Sequence, residues 1–179
     1  MRIISGKYKS RRFKIPKNFK ARPTTDFAKE NIFNVVVNLL EIEESSALDL
    51  FAGTGSIGFE FLSRGCSEVI CVELDAGHHS FINKVKNELK TEQLIAVRTD
   101  AMRYITTANR KFDFIFADPP YLFGQISQIP EHILSHKLLN RPGIFIMEHP
   151  KEYDFSHLPG FFQRRVYGAV NFSIFMANQ

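Results

Sequence analysis

From residue 46 onward the chain alternates short apolar runs with longer stretches whose apolar positions recur at helical spacing. The short runs, at 47–51, 68–73, 94–98, 112–117 and 144–148, read as strands. The stretches between them, at 56–64, 77–90, 101–108 and 125–139, read as crossover helices. That alternation predicts an α/β fold with a mostly parallel sheet. Two more β-like runs, 161–167 and 171–176, are joined by a short connection containing Gly168. The link is too short for a parallel crossover, so the last strand should be antiparallel. Ahead of the sheet, Pro-Thr-Thr-Asp at 23–26 reads as a helix start, and Phe33, Val36, Val37 and Leu40 as its apolar stripe. Residues 1–20 are expected to form a small hairpin turning near Gly6.

At 179 residues and 44% hydrophobic composition the chain can bury a substantial core within one main domain. No apolar run approaches the roughly 20 residues a bilayer span requires, and the first residues lack a secretory pattern. A soluble, cytoplasmic protein is expected. Cys66 and Cys71 suit a reducing compartment, with Cys71 as a small buried apolar residue. Charge changes the picture more. Residues 1–25 hold nine of the 23 Lys and Arg and no Asp or Glu, which leaves 14 basic against all 19 acidic residues in the rest. Ile3, Ile4, Tyr8, Phe13, Ile15 and Phe19 are interleaved with those cations, the pattern of an ordered polyanion-binding arm and not of a solvated tail. The chain divides into a basic arm, 1–22, and a catalytic domain, 23–179.

Four motifs carry the chemistry. Asp49 closes the first strand and leads through Phe51, Gly53, Thr54 and Gly55 into a helix that continues past Gly58. The glycine pattern is shared with dinucleotide enzymes, but a carboxylate at Asp49 would repel a pyrophosphate and welcome the sulfonium and ammonium of S-adenosyl-L-methionine. Glu73, followed by Leu74, ends the second strand 20 residues beyond Gly53 and is placed to accept both ribose hydroxyls. Asp100, before Ala101, follows the third strand. Alone it reads equally as a helix cap; in series with Asp49 and Glu73 it reads as the acceptor for the adenine amino group. The most specific motif is Asp118-Pro119-Pro120-Tyr121, at the end of a long apolar strand where open α/β sheets bind ligands. An exocyclic amino group on a base is a poor nucleophile. Asp118 and the Pro119 carbonyl can hold its two hydrogens, Pro119 and Pro120 stiffen the carbonyl, and Tyr121 can stack on an extruded base. His132 and His136 are one helical turn apart but lack the flanking pattern of a metal site, and no metal is expected.

These residues and the segments around them resemble the bacterial 16S ribosomal RNA guanine-N2 methyltransferase family of the RsmD type. The resemblance runs through Arg2-Ile3-Ile4-Ser5-Gly6, Arg22-Pro23-Thr24-Thr25-Asp26, Glu30-Asn31-Ile32-Phe33-Asn34, Asp49 to Gly58, Ser63-Arg64-Gly65, Glu73-Leu74-Asp75, Asn87, Asp100-Ala101 and Asp118 to Tyr121. It implies a Rossmann-like class I methyltransferase fold with a seven-stranded sheet and S-adenosyl-L-methionine as donor. It also implies transfer to guanine 966 of the RNA, in the small subunit or an assembly intermediate. One small domain suggests a monomer. The arm cations Arg2, Lys7, Lys9, Arg11, Arg12 and Arg22 would grip phosphates. Ser5 and Lys29 depart from the family pattern, which leaves details of RNA contact open. Three other readings stand beside it: an adenine-N6 or protein glutamine methyltransferase, which would typically carry Asn at position 118; an RNA-binding module without catalysis; and a nicotinamide enzyme.

Overall fold

A computed structural model describes residues 1–17, 19 and 25–177. The helices are α1 (Asp26–Leu39), α2 (Ser56–Ser63), α3 (Ala76–Leu89), α4 (Ala101–Thr107) and α5 (Ile129–Ser135). The strands are β1 (Ser46–Leu50), β2 (Glu68–Glu73), β3 (Leu94–Arg98), β4 (Phe112–Ala117), β5 (Leu139–His149), β6 (Phe161–Tyr167) and β7 (Val170–Ala177). One seven-stranded, mostly parallel sheet runs in the order β3-β2-β1-β4-β5-β7-β6, an α/β architecture. The pairs among β1 to β5 are parallel, and β7, the last strand, runs antiparallel to both β5 and β6. The inner strands are apolar on both faces because helices cover both. On one side α1, α2 and α3 pack with Phe33, Phe61, Phe81, Phe114, Phe116 and Phe172; on the other α4 and α5 pack with Ile105, Ile133, Ile115, Phe145 and Phe175.

Three sequence expectations shift. α1 buries Ala28, Lys29, Ile32, Phe33 and Val36, so its stripe lies one helical turn earlier than the apolar residues suggest, and Val37 is 48% exposed. The helix expected over 125–139 divides into a 3-10 turn, Ile126–Gln128, and the short α5, after which Lys137 takes a positive φ of 53° and turns the chain into the sheet. β5 begins at Leu139, before Pro142 and Gly143, whose strand-breaking character masked it; Asn140 donates from Nδ2 to Asp113 on β4 at 2.8 Å. The hairpin near Gly6 is present. Arg2 bridges Arg12, Ile3 donates to the Arg11 carbonyl at 3.0 Å, and Gly6 turns at φ 77°. Ile3 and Phe13 carry it into the core of α1 and α2. Thr25 caps α1 by accepting from the Ala28 N–H at 3.2 Å; Pro23 and Thr24 lie outside the described residues. Cys66 and Cys71 are buried free thiols. Among the described residues no helix is long and apolar enough to cross a membrane.

Candidate functional site

The carboxyl ends of β1, β2, β3, β4 and β5 share one edge of the sheet, and the candidate residues collect there. Past β1 the chain turns at Phe51 (φ 60°), Gly53 (φ 54°) and Gly55 (φ 73°) and enters α2. A side chain on Gly55 would press within about 3.0 Å of Phe59. A Cβ on Gly58 would stand 2.3 Å from the Cys71 sulfur, so the bare backbone is what lets α2 lie against β2. Asp49 is buried, and its Oδ2 accepts from the Gly58 N–H at 2.8 Å. Burial pushes its carboxyl up to about 8; Asp118 and Glu73 add like-charge repulsion, while the Gly58 hydrogen bond works the other way.

Glu73 accepts from Gly53 N–H at 2.6 Å through one oxygen and from Asp75 N–H at 2.7 Å through the other. It is thus held against the glycine turn, with His78 Nδ1 at 3.8 Å. Leu74 beside it is 62% exposed at the strand end. Asp100 caps α4 through one oxygen, accepting from Arg103 N–H at 2.8 Å; the ordinary cap is therefore realised, and the second oxygen is not engaged by that cap. Ala101 is buried in the first turn of α4 and Thr54 in the glycine turn.

Asp118 follows β4, part-buried, with its carboxyl pushed up to about 7 by burial. Among the described residues no Lys or Arg forms an ion pair with Asp49 or Asp118. The edge therefore holds a knot of acidic groups suited to a cationic ligand. Tyr121 is 50% exposed beyond Pro119 and Pro120, and the Phe123 N–H closes the turn on the Pro120 carbonyl at 2.7 Å. Phe123 meets Phe51 edge-on, ring centres 5.2 Å apart, which joins this loop to the glycine turn. The sequence reading missed Glu148. It stands one residue before the end of β5, an acidic residue closing an apolar run much as Glu73 closes β2, and Tyr121 Oη donates to its Oε1 at 3.4 Å.

The arm is fastened along α2. Buried Glu60 accepts from the Ile4 and Ser5 N–H groups at 3.0 Å each and pairs with Arg64 at 3.0 Å. Ser63 accepts from Tyr8 N–H, and a Cβ on Gly6 would collide with the Ser63 carbonyl at 1.7 Å. Lys29 is 1% exposed; it donates to the Arg2 carbonyl at 2.6 Å and to Ser56 Oγ at 3.1 Å, with Glu60 at 3.9 Å. Lys29 therefore helps to hold the arm. Arg2, Lys7, Lys9, Arg11 and Arg12 are exposed, and Arg22 lies outside the described residues. His132 and His136 stack with ring centres 5.8 Å apart, and among the described residues no group of three or more His, Cys, Asp or Glu could hold a metal.

The family described as conserved hypothetical protein 95 matches residues 1–176. The chain is 34% identical to "Putative rRNA methyltransferase YlbH" of Bacillus subtilis, covering 98% of each sequence. It is 30% identical to ribosomal RNA small subunit methyltransferase D of Buchnera aphidicola over 83% of this chain and 75% of that one. In structure it is similar to "Putative methyltransferase yhhF" of Escherichia coli, with a TM-score of 0.88 and 25% identity over 99% of this chain and 98% of that one.

Proposed function

This chain belongs to the family described as conserved hypothetical protein 95, and from that membership we propose that it transfers a methyl group from S-adenosyl-L-methionine to the exocyclic N2 of a guanine in 16S ribosomal RNA, guanine 966 by the resemblance of its motifs. The observation that carries the reading is the meeting, at one sheet edge, of buried Asp49 and part-buried Asp118, neither ion-paired to a Lys or Arg among the described residues, with half-exposed Tyr121. A ligand bearing a sulfonium and an ammonium suits those carboxyls, whereas a pyrophosphate would be repelled.

The donor supplies an electrophilic methyl group on sulfur. The glycine turn at Gly53, Thr54 and Gly55 lets the backbone approach the methionine portion. Glu73 retains a lone pair on each oxygen for the ribose hydroxyls, Phe51 and Leu74 offer apolar surface to the adenosine, and Asp100 beside Ala101 accepts from the adenine amino group. Asp118 and the Pro119 carbonyl take the two hydrogens of N2, and Tyr121 stacks on the extruded base. The nitrogen lone pair then points at the methyl carbon; alignment of this kind is worth up to about 7 to 11 kcal/mol. As the N–C bond forms and the S–C bond breaks, N2 sheds a proton, and Asp118, with a carboxyl near neutrality, is suited to receive it. Residues 1–22 serve as the RNA-gripping arm of a catalytic domain spanning 23–179.

The test is methyl transfer from labelled donor to small ribosomal subunits of a strain lacking the enzyme, followed by nucleoside analysis. N2-methylguanosine at one position is expected. N6-methyladenosine would move the reading to an adenine methyltransferase, and no incorporation into subunits, free RNA or DNA would overturn it.

A further inference from the structure

α1 runs alongside α2: Lys29 meets Ser56 and Glu60, and four residues later Phe33 meets Phe61 at 4.8 Å and Arg64 at 4.6 Å. Its first turn therefore stands at the same sheet edge as the glycine turn. Phe27 is in that first turn and is 65% exposed, although neighbouring Ala28 and Lys29 are buried. The ring is not loose. It meets Tyr167 edge-to-face, centroids 6.4 Å apart at 89°, and Tyr167 rests in turn on Phe172 at 6.1 Å. Tyr167 precedes the β6–β7 turn, and because β7 runs antiparallel to β5 that turn also opens at the catalytic edge, with Asn171 opposite His149 at the end of β5. Arg2 of the arm lies 3.7 Å from Asp26, the residue before Phe27. A fixed, outward-facing aromatic ring thus stands beside Arg2 of the arm and against the end of β6, at the sheet edge that also carries Asp118.

Resting on the methyltransferase reading, we propose that Phe27, braced by Tyr167, is a stacking platform for a nucleotide flanking the target base in single-stranded RNA. Extruding one base unstacks its neighbours, and an exposed ring beside the pocket can take one of them up whatever its identity, since every base has a π-face. Arg2 supplies the adjacent phosphate contact. The chemistry favours RNA over a protein partner because the exposed ring stands beside an arm cation, Arg2, which lies 3.7 Å from neighbouring Asp26.

The test uses the full chain and a short single-stranded RNA with 2-aminopurine on either side of one guanine. Wild type should quench the 2-aminopurine on one side. Phe27→Ala should lose that quench and bind about ten- to a hundredfold more weakly. Because no charge is removed, its dependence on salt should stay that of wild type, whereas Arg2→Gln should reduce the slope by about one. Phe27→Trp should restore the quench and Phe27→Leu should not, which separates stacking from apolar bulk. Failure of the wild type to quench, or a Phe27→Ala protein that quenches and binds as wild type does, would overturn the platform. Either result leaves methyl transfer to subunits standing; loss of that transfer in wild type would strike the underlying reading instead.

Discussion

Asp49 and Asp118 hold their carboxyls at about 8 and about 7 because both are withdrawn from water. A raised carboxyl stabilises the fold fully below its ordinary value near 4, and that contribution is lost as pH rises through the folded value. The unliganded protein should therefore lose thermal stability between pH 5 and 8.5, and Asp49→Asn should flatten the decline. A cationic ligand reverses the preference, since it needs both groups ionised. S-adenosyl-L-methionine affinity should rise with pH across 6 to 8, by up to about tenfold per unit for each proton released. Calorimetric titration in buffers of different ionisation enthalpy would count those protons, and a pH-independent affinity would mean the carboxyls do not face the ligand. Residues of this kind were legible in the sequence, because an acidic group ending an apolar strand is conspicuous. Lys29 was not. A helical lysine ordinarily reads as solvent-facing, yet it stands four and seven residues before Phe33 and Val36, on the very face that packs inward.

Among the elements, α2 is the one on which both halves of the site depend. Its first turn receives the glycine loop, and its length carries the arm through Glu60 and Ser63. Gly58→Ala would place a Cβ 2.3 Å from the Cys71 sulfur, forcing α2 away from β2. A loss of about 1 to 3 kcal/mol in urea unfolding is expected, together with weakened donor binding. Cys71→Ala removes the obstructing sulfur, so the double variant should be less destabilised than the sum of the two singles; strict additivity would refute the collision. The strands most plainly written in the sequence, β2 and β3, are uninterrupted apolar runs bounded by polar residues. β5 was half hidden because Pro142 and Gly143 interrupt it: its pairing with β4 passes from Leu139 to Ile144 across an irregularity, which Asn140 spans by bonding to Asp113. Glu148 went unnoticed with it, although the strand-end rule that found Glu73 applied equally.

At the scale of the whole molecule the arm has a direction. Its tip at Gly6 lies by Ser63, and its open end, Arg2 with Arg12, lies towards Ser56 at the catalytic edge, about 10 Å away at 1.5 Å per helical residue. Around the tip, Ser5 and Gly6 share a groove with Glu41 and Glu43, which repel phosphate, and with Arg64, whose charge is paired with Glu60. Neutralising Arg2 and Arg12 should lower the salt slope of RNA binding by about one each, while neutralising Lys7 and Lys9 should leave it nearly unchanged. Equal slopes for the two pairs would show that the arm grips RNA along its whole length. Composition announced the arm, but its polarity depends on contacts between residues more than 50 positions apart. That separation also sets a schedule. Ile4 and Ser5 leave the ribosome well before Glu60, the group that fastens them, and at about 5 to 20 residues per second the interval is roughly 3 to 11 s. For those seconds of every synthesis cycle the arm's cations and its Ile3 and Phe13 lack α2 to rest on. The nascent chain spends them beside ribosomal RNA, so its first encounter with that polymer precedes its own folding.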